Sequence, residues 1–411
     1  MSRFVLAELA KFPMLDSLRY PHFRLLWMAT LLSTAGRWME ILVVGWLVLE
    51  LTNSPFMVGA VAAVRAIGWL LGPLSGVVAD RMDRRLFLLL TQSVNLTLTA
   101  TMFLLLSMGR LEVWHIFALS LFGGITYALD YPPRNTFILD LVGKGAVLNA
   151  IALSRVAMDI TAILGPAIGG SLVAFFGIKV AYGFMVAVYL MDVLVLVMLP
   201  SVARTSPARR GSVWADLIEG LEHIRSHQTI LWLLVMGALV NFLGFPYMHT
   251  LMPIFARDVL AVGPTGLGLL MASVGVGALV GTLGVASLGS FRRKGWLTVI
   301  SIVLWPAMLA LFSLSPWYPL SLFLLFWAGV SQAIAMTTST TLLLTNVPDE
   351  MQARVMGARA LVIVTLPFGA LIMGAGAGLL EAPLTLALSE IALAAMLLAI
   401  AIGIPALRRL E

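Results

Sequence analysis

The chain has 411 residues, of which 60% are hydrophobic and only 11% are charged, and its formal net charge is +6. A water-soluble globular protein carries about 25% charged residues, so this composition excludes a soluble fold and indicates a chain that lies mostly in lipid. The absence of cysteine excludes disulfides and thiolate metal sites. Because the basic residues lie in short connectors between apolar stretches, they indicate membrane topology rather than nucleic-acid binding.

Apolar stretches of spanning length follow one another along the whole chain. A membrane-spanning helix needs about 20 apolar residues. The sequence predicts twelve such segments, with these approximate ends: 23–50, 55–79, 86–108, 113–134, 147–175, 180–199, 228–256, 264–288, 295–314, 317–345, 353–380 and 383–406. The longest break, 200–227, is polar and basic, and it separates a domain 1–199 from a domain 228–411. Its second part, 214–225, has apolar residues at helical spacing, which predicts an amphipathic helix on the membrane surface.

The distribution of lysine and arginine predicts the orientation. With the N-terminus inside, eighteen basic residues fall in the inner segments and only three, Arg110, Lys179 and Arg257, fall in the outer ones. The positive-inside rule therefore places both termini and the linker 200–227 in the cytoplasm.

The two halves of the chain resemble each other at an offset of 209 residues. At this offset Gly59, Gly68 and Gly72 align with Gly268, Gly277 and Gly281. The basic pair Arg84-Arg85 aligns with Arg293-Lys294. A repeat of two six-helix halves is typical of transporters, with a substrate site near the midplane between the halves. One matched position differs, because Asp80 corresponds to Gly289.

Segments 1 and 2 carry ionisable side chains at the depth of the bilayer. Arg37 and Glu40 are three residues apart and share a helix face. Arg65 lies as far after the turn near Thr52 as Glu40 lies before it, so Glu40 is predicted to lie near both arginines. The group is either a proton-exchanging or substrate-binding site, or an ion-pair network that holds the helices together.

A short motif lies in the connector between segments 2 and 3. It consists of Gly76, Asp80, Arg81, Arg84 and Arg85. The pattern resembles the loop signature of the major facilitator superfamily, in which a glycine precedes an aspartate–arginine pair and further basic residues. The glycine usual in that signature three residues after the aspartate is Asp83 here. The resemblance implies an all-α membrane protein with twelve transmembrane helices in two pseudo-symmetric six-helix bundles.

Further stretches narrow the resemblance. They are 45–55, 128–134, 148–153 and 165–170. Together they are similar to a bacterial group of siderophore (enterobactin-type) and macrolide exporters that includes the transmembrane secretion effector proteins. The chain departs from this group at Glu40, where a neutral amide is common, and at Asp159 and Ala162, where asparagine and arginine are common. Polar chemistry inside the bundle is therefore expected to differ from that of the group.

The resemblance also implies a set of contacts that we call the latch. Its members are Gly76, Asp80, Arg81, Arg84, Arg85, Asp130 and Arg134. In it, Asp130 is expected to pair with Arg81 or Arg84, and Asp80 to face the N-terminus of segment 11, where the helix dipole favours a carboxylate. These contacts would exist only while the cytoplasmic side is closed, and would thus distinguish two conformers. The alternative is that the charges only mark the topology.

Segments 5 and 6 contain two more carboxylates. Arg155 and Asp159 are four residues apart on one helix, which predicts an ion pair near the midplane. If Arg155 turned toward a substrate, Asp159 would lose its partner and become a proton carrier. A structural ion pair is the alternative. Spacing identifies no partner for Asp192 in segment 6. Its side chain is either buried and protonated or takes part in proton coupling.

Segment 5 also contains a glycine–proline motif similar to one associated with export in the superfamily. The motif residues are Gly165, Pro166, Gly169 and Gly170. Proline removes a helix hydrogen bond and can bend the helix. The two later glycines are expected to allow close approach of segment 8, which has its own glycines at 275, 277 and 281.

The resemblance places the substrate cavity among segments 1, 4, 7 and 10. Segments 7 and 10 would contribute Asn241, Phe245, Tyr247, His249, Gln332, Met336, Thr337, Thr338 and Thr341. This mixture of aromatic, thioether and hydroxyl groups with few charges favours a bulky amphipathic solute over a sugar or an ion. His249 is either a hydrogen-bonded core residue or a proton relay.

The sequence contains no phosphate-binding glycine loop and no metal-spaced cluster, so neither ATP-driven transport nor an enzyme activity nor a cofactor is predicted. We predict a proton-coupled exporter, an antiporter of an amphipathic compound such as a drug or siderophore, in the bacterial cytoplasmic membrane. Its partners would be the lipid bilayer, the substrate and protons, without nucleic acid, and it would act as a monomer.

Three alternatives remain open from the sequence. The same fold could move a lipid such as a lysophospholipid between leaflets, which would need a lateral opening. It could take up a small polar nutrient with protons. A non-transporting membrane sensor or scaffold would be expected to carry a large soluble domain, and no stretch of this sequence predicts one.

Overall fold

The computed structural model describes residues 13–71, 82–201, 228–287, 294–345, 347 and 349–404, and this part of the chain is helical almost throughout, without strands. A 3₁₀ helix, Pro13–Arg19, leads into α1, Pro21–Thr52. The helices α2, Pro55–Trp69, and α3, Arg84–Ser107, follow. Asn53 has a φ of 49° in the turn between α1 and α2, a left-handed conformation that asparagine tolerates better than most residues.

One long helical stretch, Val113–Val197, holds three segments in succession. Gly143 and Gly177 interrupt it with φ angles of 71° and 84°. Glycine adopts these left-handed angles without a steric penalty, so each marks a turn between two helices. The segments are α4 (113–142), α5 (144–176) and α6 (178–197).

The remaining helices come from the second half of the chain. They are α7 (228–259), α8 (Gly263–Ser287), α9 (Lys294–Ser313), α10 (Tyr318–Thr345), α11 (349–380) and α12 (Ala382–Gly403). Within the described ranges, nine continuous stretches are long and apolar enough to cross a membrane, and Pro55–Trp69 is a shorter apolar helix. Since one of the nine contains α4, α5 and α6, the described helices match the twelve predicted segments in number and order.

The helix α7 is irregular. After Gln228–Leu239 it contains three π-helical turns, Val240–Gly244, Tyr247–Leu251 and Phe255–Val259. Pro246 lies in this stretch, and a proline cannot donate the backbone hydrogen bond that a regular α-helix needs at its position. Each wide turn holds an extra residue, so the side chains beyond it lie on a different face from the one that regular α-helical spacing predicts.

The described residues form two compact units. The first contains residues up to Val43 and from Ile67 to Ser201, and the second contains Val44–Ala66 and the residues from Gln228 onward. The core of the first unit is apolar and draws on α1, α3, α4 and α6, with Phe23, Leu88, Phe137 and Leu196 all buried.

Hydrogen bonds and a glycine contact explain why Val44–Ala66 belongs to the second unit. The Arg257 guanidinium of α7 donates to the Leu49 carbonyl at 2.9 Å and to Asn53 Oδ1 at 2.7 Å. A Cβ atom on Gly59 would lie 2.9 Å from the Cα of Gly374 in α11, so glycine is needed for this close approach.

Glycines also bring α8 and α10 together. A Cβ on Gly277 would overlap the Phe326 carbonyl, one on Gly281 would lie 2.5 Å from the Val330 carbonyl oxygen, and one on Gly329 would overlap the Val274 carbonyl. Small residues allow two membrane helices to pack backbone against backbone.

We expect Gly277→Ala to destabilise the protein by about 1–3 kcal/mol, because the new methyl group overlaps a backbone carbonyl that cannot move by itself. The measurement is the thermal unfolding midpoint of the purified protein in a single detergent. Gly284→Ala is the matched control on the same helix, since a Cβ there meets nothing within 4 Å. Equal midpoints for the two variants would contradict the packing described here.

Candidate functional site

A buried ionic network lies in the first unit at Asp130 and Arg134 of α4. Arg134 donates to Asp130 from Nε at 2.8 Å and from Nη2 at 3.2 Å, which makes a two-point pair. Asp130 also accepts hydrogen bonds from Thr91 at 3.0 Å and from Gln92 at 2.9 Å, both on α3. Arg134 Nη1 reaches Thr30 of α1 at 3.3 Å. The network therefore ties α1, α3 and α4 together.

Asp192 of α6 adds a second carboxylate to this network. Its side chain is fully buried, and neither carboxyl oxygen has a hydrogen-bond partner in the described part of the chain. It interacts electrostatically with both Arg134 and Asp130. Spacing alone identifies no partner for Asp192. The fold supplies Arg134, so that one arginine balances two buried carboxylates.

The latch differs in part from the expectation. The structure pairs Arg84 with Asp140 of α4, whereas the resemblance implied that Asp130 pairs with Arg81 or Arg84. Asp130 lies ten residues earlier on α4, inside the unit, where Arg134 and the α3 side chains satisfy it. Arg85 donates to the Val197 and Leu196 carbonyls, at the end of α6 where a cation is favoured.

Several predicted features lie outside the described residues. They are Gly76, Asp80 and Arg81 of the latch and the amphipathic helix at 214–225.

Asp83, which replaces the usual glycine of the motif, caps α3. Its carboxylate accepts the Leu86 backbone N–H at 3.0 Å and the Ser201 hydroxyl. Partial burial opposes ionisation, but these hydrogen bonds together with the nearby Arg85 outweigh it and lower the pKa of Asp83.

We expect Asp83→Ala to destabilise the folded state by about 1 kcal/mol at neutral pH, the usual cost of losing a helix cap. Because the folded pKa is below the unfolded value of about 3.9, the contribution is present above that value and is lost as the pH falls through the folded pKa. Thermal midpoints of the wild type and the variant, measured from neutral to acid pH, should converge in acid. A difference that does not depend on pH would contradict this role.

The ion pair predicted in α5 is confirmed. Arg155 Nε lies 3.1 Å from Asp159 Oδ1. The two side chains differ in exposure, because Arg155 is 62% exposed and Asp159 only 13%. The carboxylate is thus held inside the unit by a cation that remains accessible.

Arg37 makes a contact that the sequence did not predict. Its guanidinium lies 3.9 Å from the centre of the Tyr127 ring, a cation–π contact with α4. The sequence gives no sign of this contact, since Tyr127 is ninety residues away. Arg65 is buried and belongs to the second unit.

Gly165 and Gly169 of the glycine–proline motif face α1, whereas the sequence predicted that Gly169 and Gly170 allow close approach of segment 8. A Cβ on Gly165 would lie 2.7 Å from Trp38 Cβ, and one on Gly169 would lie 3.3 Å from Met39 Cα. Pro166 and Gly170 are buried beside them. Gly277 and Gly281 of α8 face α10.

The predicted cavity side chains of α7 divide into two groups. Asn241 lines a cavity together with Met336 of α10, and residues of α9 and α11 complete its lining. Phe245 instead packs edge-on against Trp305 of α9, with ring centres 5.2 Å apart, and Tyr247 is buried. The π-helical turns of α7 explain this difference, because they place successive side chains on faces that regular spacing does not predict.

Two of the five α10 side chains named for the cavity bond to their own helix. Thr338 is buried and donates to the Ile334 carbonyl at 2.8 Å, and Thr341 donates to the Thr337 carbonyl at 3.0 Å. Gln332 is half-buried. The hydroxyl groups of Thr338 and Thr341 are therefore satisfied within α10.

Two ionisable residues of the second unit were not predicted as site residues from the sequence. Arg359 of α11 lines the same cavity as Asn241. Glu390 of α12 is fully buried, its carboxyl oxygens lack hydrogen-bond partners among the described residues, and it interacts electrostatically with Tyr247. The signal was available in both cases, because each is a charged residue inside a predicted spanning segment.

Comparison with known proteins agrees with this architecture. The family model for transmembrane secretion effector proteins matches residues 13–410. The enterobactin exporters EntS of Shigella boydii and Escherichia coli are each 26% identical to the chain over 347 residues, which is 82% of this chain and 80% of theirs. A crystal structure of a mutant of the nucleoside transporter NupG superposes with a TM-score of 0.75 at 15% identity, covering 92% of this chain and 99% of that one.

A second solved structure has the same fold. It is a bacterial homologue of the human lysosomal transporter Spinster in an inward-facing, occupied conformation, with a TM-score of 0.72 at 15% identity over 96% of this chain and 97% of that one. The apolar helices show a multi-pass membrane protein, and the family and the fold indicate a transporter rather than an enzyme. The chain belongs to the transmembrane secretion effector family of the major facilitator superfamily.

Proposed function

We propose that the chain exports a bulky amphipathic compound, such as a drug or siderophore, in exchange for protons. The relatives named as enterobactin exporters support the outward direction. In this proposal a monomer alternates access to a site between two six-helix halves, 1–199 and 228–411, joined by a cytoplasmic linker at 200–227. Both termini lie in the cytoplasm of a bacterium, and the protein spans its inner membrane.

The observation that carries the coupling is the unequal exposure of the Arg155–Asp159 pair. Because Arg155 is accessible, a bound substrate or a change of conformer can draw it away from Asp159. A carboxylate left without its cation in an apolar surrounding binds a proton more readily. The position of Arg155 would then control proton binding at Asp159, which couples proton exchange to the transport cycle.

The experiment uses the purified protein in proteoliposomes with an imposed pH gradient. Siderophores, macrolides, dyes and lysolipids are screened for movement. We expect an amphipathic solute to move against the direction of proton flow, and a protonophore to stop it. Movement of a solute in the same direction as the protons would indicate uptake, and gradient-independent movement of lysolipids would indicate a lipid transporter. Either result would contradict proton-driven export.

The latch is part of this proposal. Its described charges at Arg84, Asp130 and Arg134 form ion pairs within the first unit. We propose that Asp80 completes it at the N-terminus of segment 11. The latch would then stabilise one of the two conformers of the cycle.

We expect Asp80→Asn to impair transport in proteoliposomes while leaving the elution profile and thermal midpoint of the protein unchanged, because the variant loses a charge but keeps the side-chain shape. Asp16→Asn is the control, since Asp16 forms an exposed pair with Arg19 in the first 3₁₀ helix. Full transport activity of Asp80→Asn would contradict the proposed role of the latch in transport.

A further inference from the structure

A small cavity lies inside the second unit, between α7, α9, α10 and α11. Its volume is about 60 Å³, and its lining includes Asn241, Ile302, Met336, Ser339, Arg359 and Val362. The rest of the lining is apolar. Since drug-sized ligands occupy about 300–1,000 Å³, this cavity holds a head group such as a carboxylate or sulfonate and not a whole ligand.

Arg359 is the charged side chain of this cavity. Its Nη1 donates to Thr340 Oγ1 of α10 at 2.7 Å, and this bond uses one of the five N–H donors of the guanidinium. Among the side chains that the structure describes, no carboxylate forms an ion pair with Arg359. A cation inside a spanning helix is costly, and those that occur usually belong to a ligand pathway.

Neighbouring hydrogen bonds fix the helices that line this cavity. Thr365 of α11 donates to the Ala238 carbonyl of α7 at 3.2 Å, which ties the helix of Arg359 to the opposite wall. Asn241 uses its side-chain nitrogen on the Gly237 carbonyl at 2.9 Å, so its carbonyl oxygen can accept a hydrogen bond. The cavity thus combines a fixed cation, an acceptor and apolar walls.

We propose that Arg359 binds the acidic head group of the transported compound, and that the substrates are amphipathic organic anions. This inference rests on the proposed export function and adds the charge of its substrate. The anion pairs with the guanidinium, a hydroxyl or amide next to it donates to Asn241, and the carbon atoms that carry the acidic group contact Ile302, Met336 and Val362.

The test compares two dyes that differ only in an acidic group, 8-anilinonaphthalene-1-sulfonate and neutral N-phenyl-1-naphthylamine. Saturable binding to the full-length protein in phosphatidylcholine nanodiscs is measured against empty nanodiscs. We expect Arg359→Gln to weaken sulfonate binding about tenfold or more, because a charge-assisted hydrogen bond is lost, and to leave binding of the neutral dye unchanged. Arg359→Lys should retain part of the preference for the sulfonate.

The control is Arg110→Gln, which removes the same charge at an exposed position after α3 and should not change binding of either dye. Unchanged binding of the neutral dye shows that Arg359→Gln is folded. The proposal is overturned if the wild type shows no saturable sulfonate binding, if Arg359→Gln binds the sulfonate as well as the wild type, or if both dyes weaken equally.

A lipid head group is the other source of an anion. The binding measurement is therefore repeated with a minor fraction of phosphatidylglycerol in the nanodiscs. Arg359-dependent binding that persists supports a soluble anion, and its selective loss in the wild type assigns the site to lipid and overturns the proposal. The binding and transport measurements test the two proposals separately, because binding needs no proton gradient. Arg359-dependent binding without gradient-driven transport would contradict only the export proposal. Gradient-driven transport without Arg359-dependent binding would contradict only the proposal that Arg359 binds an acidic head group.

Discussion

Arg134→Leu is expected to destabilise the protein more than Gly277→Ala or Asp83→Ala. Arg134 makes two hydrogen bonds to Asp130 and balances Asp192 as well. Its removal leaves two carboxylates buried in one unit without a cation. Breaking a buried ion pair by removing one partner costs about 3–5 kcal/mol. We expect little monodisperse protein on size-exclusion chromatography and a much lower thermal midpoint for what is recovered.

Two further variants separate charge from shape. Asp130→Asn should be milder than Arg134→Leu, because the amide oxygen can still accept from Thr91 and Gln92. The triple variant Asp130→Asn, Asp192→Asn, Arg134→Leu removes every charge of the network. It should be more stable than Arg134→Leu, because no buried charge is left without a partner. If Arg134→Leu by itself unfolds at the wild-type temperature, the network does not hold the first unit together.

Asp159→Asn is expected to have the largest effect on transport. The amide keeps the size of the side chain and its place on α5 but cannot exchange a proton. Export driven by a pH gradient in proteoliposomes should fall to the level of protein-free liposomes, while exchange of substrate between the two sides without a gradient should continue. The measurement is the ratio of these two rates across a range of pH.

The controls for Asp159 use the same chemistry elsewhere. Asp159→Glu keeps a carboxylate beside Arg155 and should keep part of the coupling. Asp258→Asn makes the same change at an exposed pair with Arg257 in the second unit and should leave transport unaffected. A pH dependence of Asp159→Asn identical to that of the wild type would exclude Asp159 from coupling.

Local features of the chain were predictable because they depend on a few neighbouring residues. The Arg155–Asp159 pair follows from four-residue spacing on one helix, which fixes the distance whatever surrounds it. The turns at Gly143 and Gly177 fall inside the predicted breaks after segments 4 and 5. The capping role of Asp83 had a signal as well, since an aspartate directly before an apolar helix is a typical cap.

Pairs between distant residues were not predictable. Arg84 bonds to Asp140 rather than to Asp130, and both aspartates lie on α4. Choosing between them needs the depth at which α3 and α4 meet, and periodicity does not contain that depth. The stacking of Arg37 on Tyr127 has the same origin, because a helix that is apolar on most of its surface gives no sign of which neighbour each face meets.

The sequence by itself determined that this protein spans a membrane with a repeated set of helices, because lipid requires long apolar segments whose backbone bonds are satisfied internally. Only the tertiary structure decided which side chains meet. In lipid, the free energy of an apolar helix changes little when the helix rotates about its own axis. Steric fit and buried polar contacts therefore select the packing. That selection put Gly165 against α1, Arg134 beside Asp192, and Arg359 in a cavity with Asn241.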